Sequence, residues 1–355
     1  MSLNKSEKLR YSRQIILKEI GEQGQQRIKD ASVLVIGAGG LGCPVLLYLT
    51  AAGIGTIGIL DNDCVEESNL QRQVLYSVTD IDKPKPEAAI EKLSALNPNI
   101  HFQKHFFRLS KENALTTLAN YNIIVDCTDN FSTRYLISDA CVILGKPLVY
   151  GAVFQFEGQI SVLNYKNGPT LRCLQPDIPH PLEIPGCSEA GIIGYIAGIV
   201  GAMQANETVK IILGTGDILR GRMFTINALT METQIVSFER NPEASAIKEL
   251  GEYDEYCFPK NEAVNEISVD ELLDLMKINP DIQLIDLRDA DETIDMMEGF
   301  INIPYHEIPS KTGLIHGAKN VVFYCTYGIK SKKLINFLKY KNFTNTFYSL
   351  TTLKS

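Results

Sequence analysis

An excess of basic residues is missing from this sequence. Lys and Arg number 34 against 42 Asp and Glu, a net charge of −8, so the global cationic footprint of a nucleic-acid-binding protein is absent. Apolar runs of bilayer length are missing too. The best candidate, 190–203, falls short of the roughly 20 residues a span needs. Gln204, Asn206, Glu207 and Lys210 follow it at once, so it reads as a buried helix. Residues 1–30 are polar and charged, without the apolar stretch of a secretory leader. Repeats and low-complexity tracts are absent. The eight cysteines (Cys43, Cys64, Cys127, Cys141, Cys173, Cys187, Cys257 and Cys325) are scattered rather than spaced as a disulfide framework. Reduced thiols, a cytoplasmic location, and no nucleic-acid or membrane partner are therefore expected. His101, His105, His180, His306 and His316 show no metal-ligand spacing.

What is present is an alternation of strand and helix signals. Glu7 to Ile20 places Leu9, Ile16, Leu17 and Ile20 between charges, as in one amphipathic helix. Ser32 to Ile36 is a short β-branched run. Gly37 to Gly42 follows it, then a helical stretch from Cys43 to Ala52 and a second strand from Thr56 to Leu60. This is a βαβ unit, whose crossover implies a parallel sheet. The rhythm continues with a helix from Pro86 to Leu96, strands over 100–106 and 123–127, and a helix from Arg134 to Leu144. Leu148 to Tyr165 then reads as a hairpin punctuated by Gly158, and 222–239 as two last strands. Between them, Thr170 to Gly186 carries Pro176, Pro179, Pro181 and Pro185, the composition of a long irregular crossover. The chain is expected to divide into a domain at 1–245, a linker at 246–264, and a small α/β domain at 265–355.

Gly37-Ala38-Gly39-Gly40-Leu41-Gly42 fits the Gly-x-Gly-x-x-Gly pattern between a strand and a helix. Glycines permit the tight turn and close backbone approach, while the helix N-terminus offers free N–H groups to phosphate oxygens. Asp61 ends the next strand, where a carboxylate can accept hydrogen bonds from ribose hydroxyls. To this point an NAD-dependent oxidoreductase fits as well as an ATP-using enzyme. Arg72 and Lys85 tilt the balance. A triphosphate that sheds pyrophosphate needs more positive charge than a dinucleotide, and these side chains can supply it.

Several segments together resemble the MoeB/ThiF adenylyltransferases, relatives of ubiquitin-activating enzymes. They are Arg10 to Leu17, the glycine motif, Ser68-Asn69-Leu70-Gln71-Arg72-Gln73, Asp126-Cys127-Thr128-Asp129-Asn130 and Gly151 to Gly158. The resemblance spans about residues 7 to 240. It implies a Rossmann-like ATP-binding domain with a mixed, largely parallel sheet. It also implies that Gly37, Gly39, Gly40, Gly42, Asp61, Ser68, Asn69, Arg72, Lys85, Asp129 and Asn130 line the nucleotide site. Asp129 would coordinate Mg²⁺, and Arg13 would reach the site of the other subunit in a homodimer. Cys187, in Gly186-Cys187-Ser188-Glu189-Ala190-Gly191, matches a reactive cysteine of the family. Its alternative is a small residue at a packed junction. Of the family's two zinc-binding Cys-x-x-Cys pairs, only Cys173 remains, so no structural zinc is expected.

Cys325-Thr326-Tyr327-Gly328-Ile329-Lys330-Ser331 follows a buried strand and opens a helix. A thiol cradled by loop N–H groups there would be stabilised as thiolate or persulfide. This loop, with Leu284 to Arg288 and Gly299 to Pro304, resembles the rhodanese family over about residues 265 to 350. Lys330 stands where that family commonly has Arg, and the 349–353 end lacks its usual Gly-rich continuation. The resemblances imply adenylylation, with ATP, of the terminal glycine carboxylate of a ubiquitin-like sulfur-carrier protein ending in Gly-Gly. Sulfur would come from Cys325, loaded by a donor such as a cysteine desulfurase. The residues Arg13, Arg72, Cys187 and Cys325 are the catalytic candidates. A molybdopterin or a thiamine carrier would suit this chemistry equally. The rival readings are the oxidoreductase and a non-catalytic scaffold for a carrier.

Overall fold

The computed structural model describes residues 2–179, 191–253, 264–279, 281–289, 292–293, 298–315, 319–340 and 343–350. The chain forms two compact units, the first ending at Tyr253 and the second taking up the chain beyond it.

Three helices open the first unit: α1 (Lys5–Arg10), α2 (Ser12–Ile15) and α3 (Gly21–Asp30). The single amphipathic helix expected over 7–20 is thus broken. Tyr11 turns inward at the break, where its buried hydroxyl accepts a hydrogen bond from Asn97 Nδ2 at 2.8 Å. Leu9, Ile16 and Leu17, the expected apolar face, are left exposed.

The Rossmann-like core follows. Strand β1 (Ser32–Ile36), helix α4 (Gly42–Ala52) and strand β2 (Thr56–Leu60) make the first βαβ unit. Helix α5 (Lys85–Leu96), β3 (His101–His105), α6 (Lys111–Ala119), β4 (Ile123–Asp126), α7 (Phe131–Leu144) and β5 (Leu148–Phe154) continue it. After β5 the chain doubles back as β6 (Glu157–Leu163), passes through the short α8 (Leu171–Leu174) and the long α9 (Gly194–Leu213), and closes with β7 (Arg222–Asn227) and β8 (Thr233–Ser237). The sheet order is β3-β2-β1-β4-β5-β6-β7-β8. Strands β1 to β5 pair in parallel and β5 to β8 antiparallel.

Alternate residues of β1 enter opposite cores. Val33 and Val35 pack with α4 residues such as Leu46 and Leu49, whereas Leu34 and Ile36 pack with α6 and α7 residues such as Leu118 and Ile137. Both sheet faces are therefore covered, which is why the strand is apolar throughout rather than alternating. Each such aliphatic side chain, fully buried, contributes about 1.5–3 kcal/mol relative to exposure.

Four details differ from the sequence reading. Helix α7 starts at Phe131, because the Asn130 side chain caps it by accepting from Thr133 N at 2.9 Å. The β5–β6 turn falls at Gln155, with φ +52, while Gly158 lies within β6. Helix α9 is longer than expected. By length and composition it could cross a membrane, yet half of its apolar window is buried, against a core shared with α4 and β5. Leu250 and Tyr253, from the stretch read as linker, are buried in the first unit's core.

The second unit is a five-stranded parallel sheet. It contains β9 (Asn265–Ile267), helix α10 (Val269–Ile278), β10 (Ile282–Asp286), β11 (Ile301–Asn302), β12 (Asn320–Tyr324), helix α11 (Ile329–Tyr340) and β13 (Thr346–Leu350). Its order is β11-β10-β12-β13-β9. Ser268 opens α10 with a capping box to Glu271.

Candidate functional site

Strand β1 lies between β2 and β4, so chain connections diverge on its two sides. In open α/β sheets ligands bind in the crevice at such a switch point, beyond the strands' C-terminal ends. The glycine loop leaves β1 there, beside Cys127 and Thr128 at the end of β4. Gly37 adopts φ +92, a left-handed conformation that favours glycine. Helix α4 begins at Gly42, and α9 begins at Gly194 against Gln71 and Arg72.

Asp61 braces the loop from the end of β2. Its carboxylate accepts from Ala38 N at 2.7 Å and from Asp63 N at 2.8 Å. Burial pushes its pKa above the ordinary carboxylate value, against the opposing pull of Lys85 and the two N–H donors. Lys85 is itself buried, its Nζ 3.0 Å from Asp63 Oδ2. Tyr76, which the sequence reading passed over, joins the two elements. Its hydroxyl donates to Ala38 O at 2.9 Å and lies 3.4 Å from Lys85 O.

Arg72 stands on the loop's other side. A turn over Glu67–Asn69 aims it, with Asn69 O accepting from Arg72 N at 3.0 Å and Ser68 O accepting from Arg72 Nη1 at 3.1 Å. Gly37, Gly39, Gly40, Gly42, Asp61, Arg72 and Lys85 are thus gathered at one crevice, with Ser68 and Asn69 supporting Arg72. Asp129 is exposed just beyond β4, while the Asn130 side chain is engaged as the α7 cap.

Arg13 is placed differently. It is exposed on α2, whose Gln14 donates to Ala52 O at the C-terminal end of α4. The glycine loop is at the opposite end of this helix, about 16 Å away along 11 residues. Arg13 is therefore remote from the loop of its own chain. Cys187 lies outside the described residues.

The thiols differ sharply in environment. Burial pushes Cys43 up to about 12 and raises Cys127 and Cys141 as well. Cys173 is half-buried. Burial opposes its thiolate, but hydrogen bonds from Ser245, Thr170 and Asn241 outweigh this and hold it below the usual thiol value. Its Sγ is 3.2 Å from Ser245 Oγ and accepts from Thr170 N and Asn241 N, each at 3.3 Å. No group of three or more potential metal ligands occurs among the described residues. Brief alkylation at neutral pH is expected to label Cys173 and the exposed Cys64 well before Cys43, Cys127 and Cys141, because thiolate and access both govern the rate. Peptide mass mapping over time checks the order.

In the second unit, Cys325 leaves the C-terminal end of β12 and its loop opens α11. Its buried Sγ accepts from Ser331 N at 3.4 Å and lies 3.6 Å from Ser331 Oγ. Ser331 Oγ donates to Gly328 O at 3.0 Å and meets Ser349 Oγ at 2.7 Å. Beside this loop, Asp286 at the end of β10 is clasped by Arg288 Nη2 at 2.8 Å. Asp289 receives both Lys330 Nζ, at 3.5 Å, and His306 Nδ1, at 3.3 Å.

Known families match the two units in turn along the chain. The ThiF family matches residues 11–246 and the rhodanese-like domain matches residues 268–352. The Mycobacterium tuberculosis protein "Probable adenylyltransferase/sulfurtransferase MoeZ" is 39% identical over 97% of this chain and 91% of its own length. "Adenylyltransferase and sulfurtransferase MOCS3" of Aedes aegypti is 43% identical, covering 86% of this chain and 74% of the relative. "Sulfur carrier protein adenylyltransferase" of Thermus thermophilus is 45% identical over 72% of this chain and 99% of its own length. The solved structure of E. coli MccB with ATP superimposes with a TM-score of 0.60, covering 67% of this chain and 74% of that one. At 22% identity it speaks to the fold alone. The chain belongs to the ThiF family and carries a rhodanese-like domain after it.

Proposed function

We propose that the first unit adenylates, with ATP, the C-terminal glycine carboxylate of a ubiquitin-like sulfur-carrier protein ending in Gly-Gly. The second unit then delivers sulfur from a Cys325 persulfide. The gathering of the glycine loop, Asp61, Arg72 and Lys85 at the β1/β4 switch point carries this reading, and kinship with adenylyltransferase/sulfurtransferases along nearly the whole chain supports it. Neither the fold nor the kinship favours an oxidoreductase or an inert scaffold.

In this reading a carboxylate oxygen of the carrier attacks the α-phosphorus of ATP. The bond to the β-phosphate oxygen breaks, and pyrophosphate leaves with its charge met by Arg72 and Lys85. Positioning and charge stabilisation carry such a step. Loop N–H groups and Asp61 hold the nucleotide. Mg²⁺ favours one or two carboxylates plus phosphate oxygens over a protein cage. The exposed Asp129 at the crevice suits that donor set, and the ion would neutralise phosphate charge. Because Arg13 is remote from its own loop, its contribution requires a second subunit, and we propose a homodimer acting in the cytoplasm. No structural zinc is included in this proposal.

The Cys325 persulfide, loaded by a donor such as a cysteine desulfurase, attacks the acyl carbon of the adenylate and AMP leaves. An external thiol attacks the Cys325 sulfur. A disulfide forms and the carrier departs as thiocarboxylate. A molybdopterin or a thiamine carrier fits, and mass spectrometry of each after incubation with ATP and a sulfur donor identifies which is used. Carrier-dependent exchange of labelled pyrophosphate into ATP tests the first step. Arg72→Ala is expected to lower it about a hundredfold, the scale of losing one transition-state donor. Absence of exchange in the wild-type protein with every Gly-Gly-ended carrier would sink the reading.

A further inference from the structure

We infer that Arg134 is a positioning residue for Asp129: from beneath the crevice it locks the turn that presents this carboxylate. The inference rests on the proposed Mg²⁺ role of Asp129.

Asp129 makes no hydrogen bond or ion pair among the described residues, yet its neighbours on both sides are held. Every polar group of Thr128 is engaged. Its N–H and hydroxyl donate to Asp126 Oδ1 at 2.9 and 2.6 Å, and its carbonyl accepts from Arg134 Nη2 at 2.7 Å. On the other side, Asn130 caps α7 through Thr133 N, and its carbonyl accepts from Arg134 N at 3.3 Å. Arg134 therefore holds the carbonyls on both flanks of Asp129, one by its guanidinium and one by its backbone.

The guanidinium is itself fixed. It is buried, donates through Nη1 to Tyr150 Oη at 2.9 Å, and stacks over the Tyr150 ring with 5.2 Å to the centroid. Asp126 is fully buried, and burial pushes its carboxyl above the ordinary carboxylate value against the opposing pull of Arg134 and the Thr128 hydrogen bonds. One oxygen of Asp126, Oδ2, is buried with no hydrogen-bond partner among the described residues. A planar fork can serve Thr128 O and Tyr150 Oη together, whereas a lysine ammonium is a point charge on a flexible stem. Residues that orient a metal-holding carboxylate without touching the metal typically matter 10- to 100-fold for metal affinity.

Calorimetry with the full chain tests this by measuring ATP binding with saturating Mg²⁺ and with chelator. The quantity read is the Mg²⁺-dependent gain in ATP affinity. Arg134→Lys is expected to shrink that gain about tenfold and leave metal-free ATP binding within about twofold. Tyr150→Phe, which removes one hydroxyl, is expected to shrink it about two- to threefold, and it carries the test should Arg134→Lys fail to fold. A merely structural Arg134 would lower the melting temperature with the gain intact. A folded Arg134→Lys protein, or a Tyr150→Phe protein in its stead, with the wild-type gain overturns the inference. Asp129→Asn separates the two levels. If it abolishes the gain while Arg134→Lys does not, the positioning role alone fails. If it too keeps the gain, the Mg²⁺ role of Asp129 falls and the positioning role with it.

Discussion

Gly42→Ala is expected to abolish ATP binding and to lower the melting temperature by roughly 2–12 °C. A Cβ at this position would lie 2.0 Å from Gly37 O and 2.9 Å from Gly37 C. Both are backbone atoms, so no side chain can swing aside. Gly37 in turn is hemmed in, since its own Cβ would lie 2.6 Å from Cys127 O at φ +92. The loop must therefore shift as a unit away from β4. Backbone strain of this kind is on the order of 1–3 kcal/mol, and in a unit of this size each kcal/mol shifts the melting temperature by about 2–4 °C. Gly39→Ala is the informative contrast. Its Cβ would meet only Gln73 Nε2, at 3.6 Å, so the free protein keeps its stability while the methyl group occupies space that the proposed nucleotide would need. Thermal scans without ligand distinguish the two, and protection by ATP–Mg²⁺ is expected for wild type alone. ATP protection of Gly42→Ala equal to wild type would mean that this loop is not the nucleotide site.

Cys325→Ser should end thiocarboxylate formation, with a loss on the order of a thousandfold or more, the scale seen when a nucleophile is removed. Carrier-dependent pyrophosphate exchange should stay within about twofold, because the substitution lies in the second unit. The fold tolerates it. Serine is close in size to cysteine, and its hydroxyl can accept from Ser331 N as the sulfur does. Serine cannot carry a persulfide, however, since a hydroxyl oxygen does not form the S–S bond that stores the sulfur. Mass spectrometry of the carrier reads the acyl product and exchange reads the adenylate, so each unit is scored separately. A carrier gaining sulfur at the wild-type rate with Cys325→Ser would remove the second unit from the reaction.

Much of this protein is legible in its sequence. The β1 and β2 bounds, Ser32–Ile36 and Thr56–Leu60, follow from short β-branched runs that meet glycine at Gly37 and Gly55, and the glycine motif marked the tight turn between them. Local chemistry sufficed there because a strand buried on both faces must be continuously apolar, and a tight turn must be glycine. Arg72 and Lys85 were also visible, as cations beside that motif.

Other features depend on residues far apart in sequence. Tyr76 looks like an ordinary apolar position, and only folding sets its hydroxyl on Ala38 O, 38 residues away. Leu9, Ile16 and Leu17 have helical spacing, but Tyr11 takes the buried place and they remain exposed. Periodicity records which residues share a face, and not which face finds a partner. Arg13 is expected to serve the site of another subunit, and its distance from the loop of its own chain follows only from Gln14 anchoring α2 at the far end of α4. The sequence by itself determined the two units and most of their strands and helices, since these are written in local residue choice. Tertiary structure alone decided which of those residues meet. It drew Gly37, Asp61, Arg72 and Lys85 to one switch point, put Arg13 beyond it, and set Arg134 under the turn that presents Asp129. Such meetings depend on strand order and helix direction, which no short window of sequence contains.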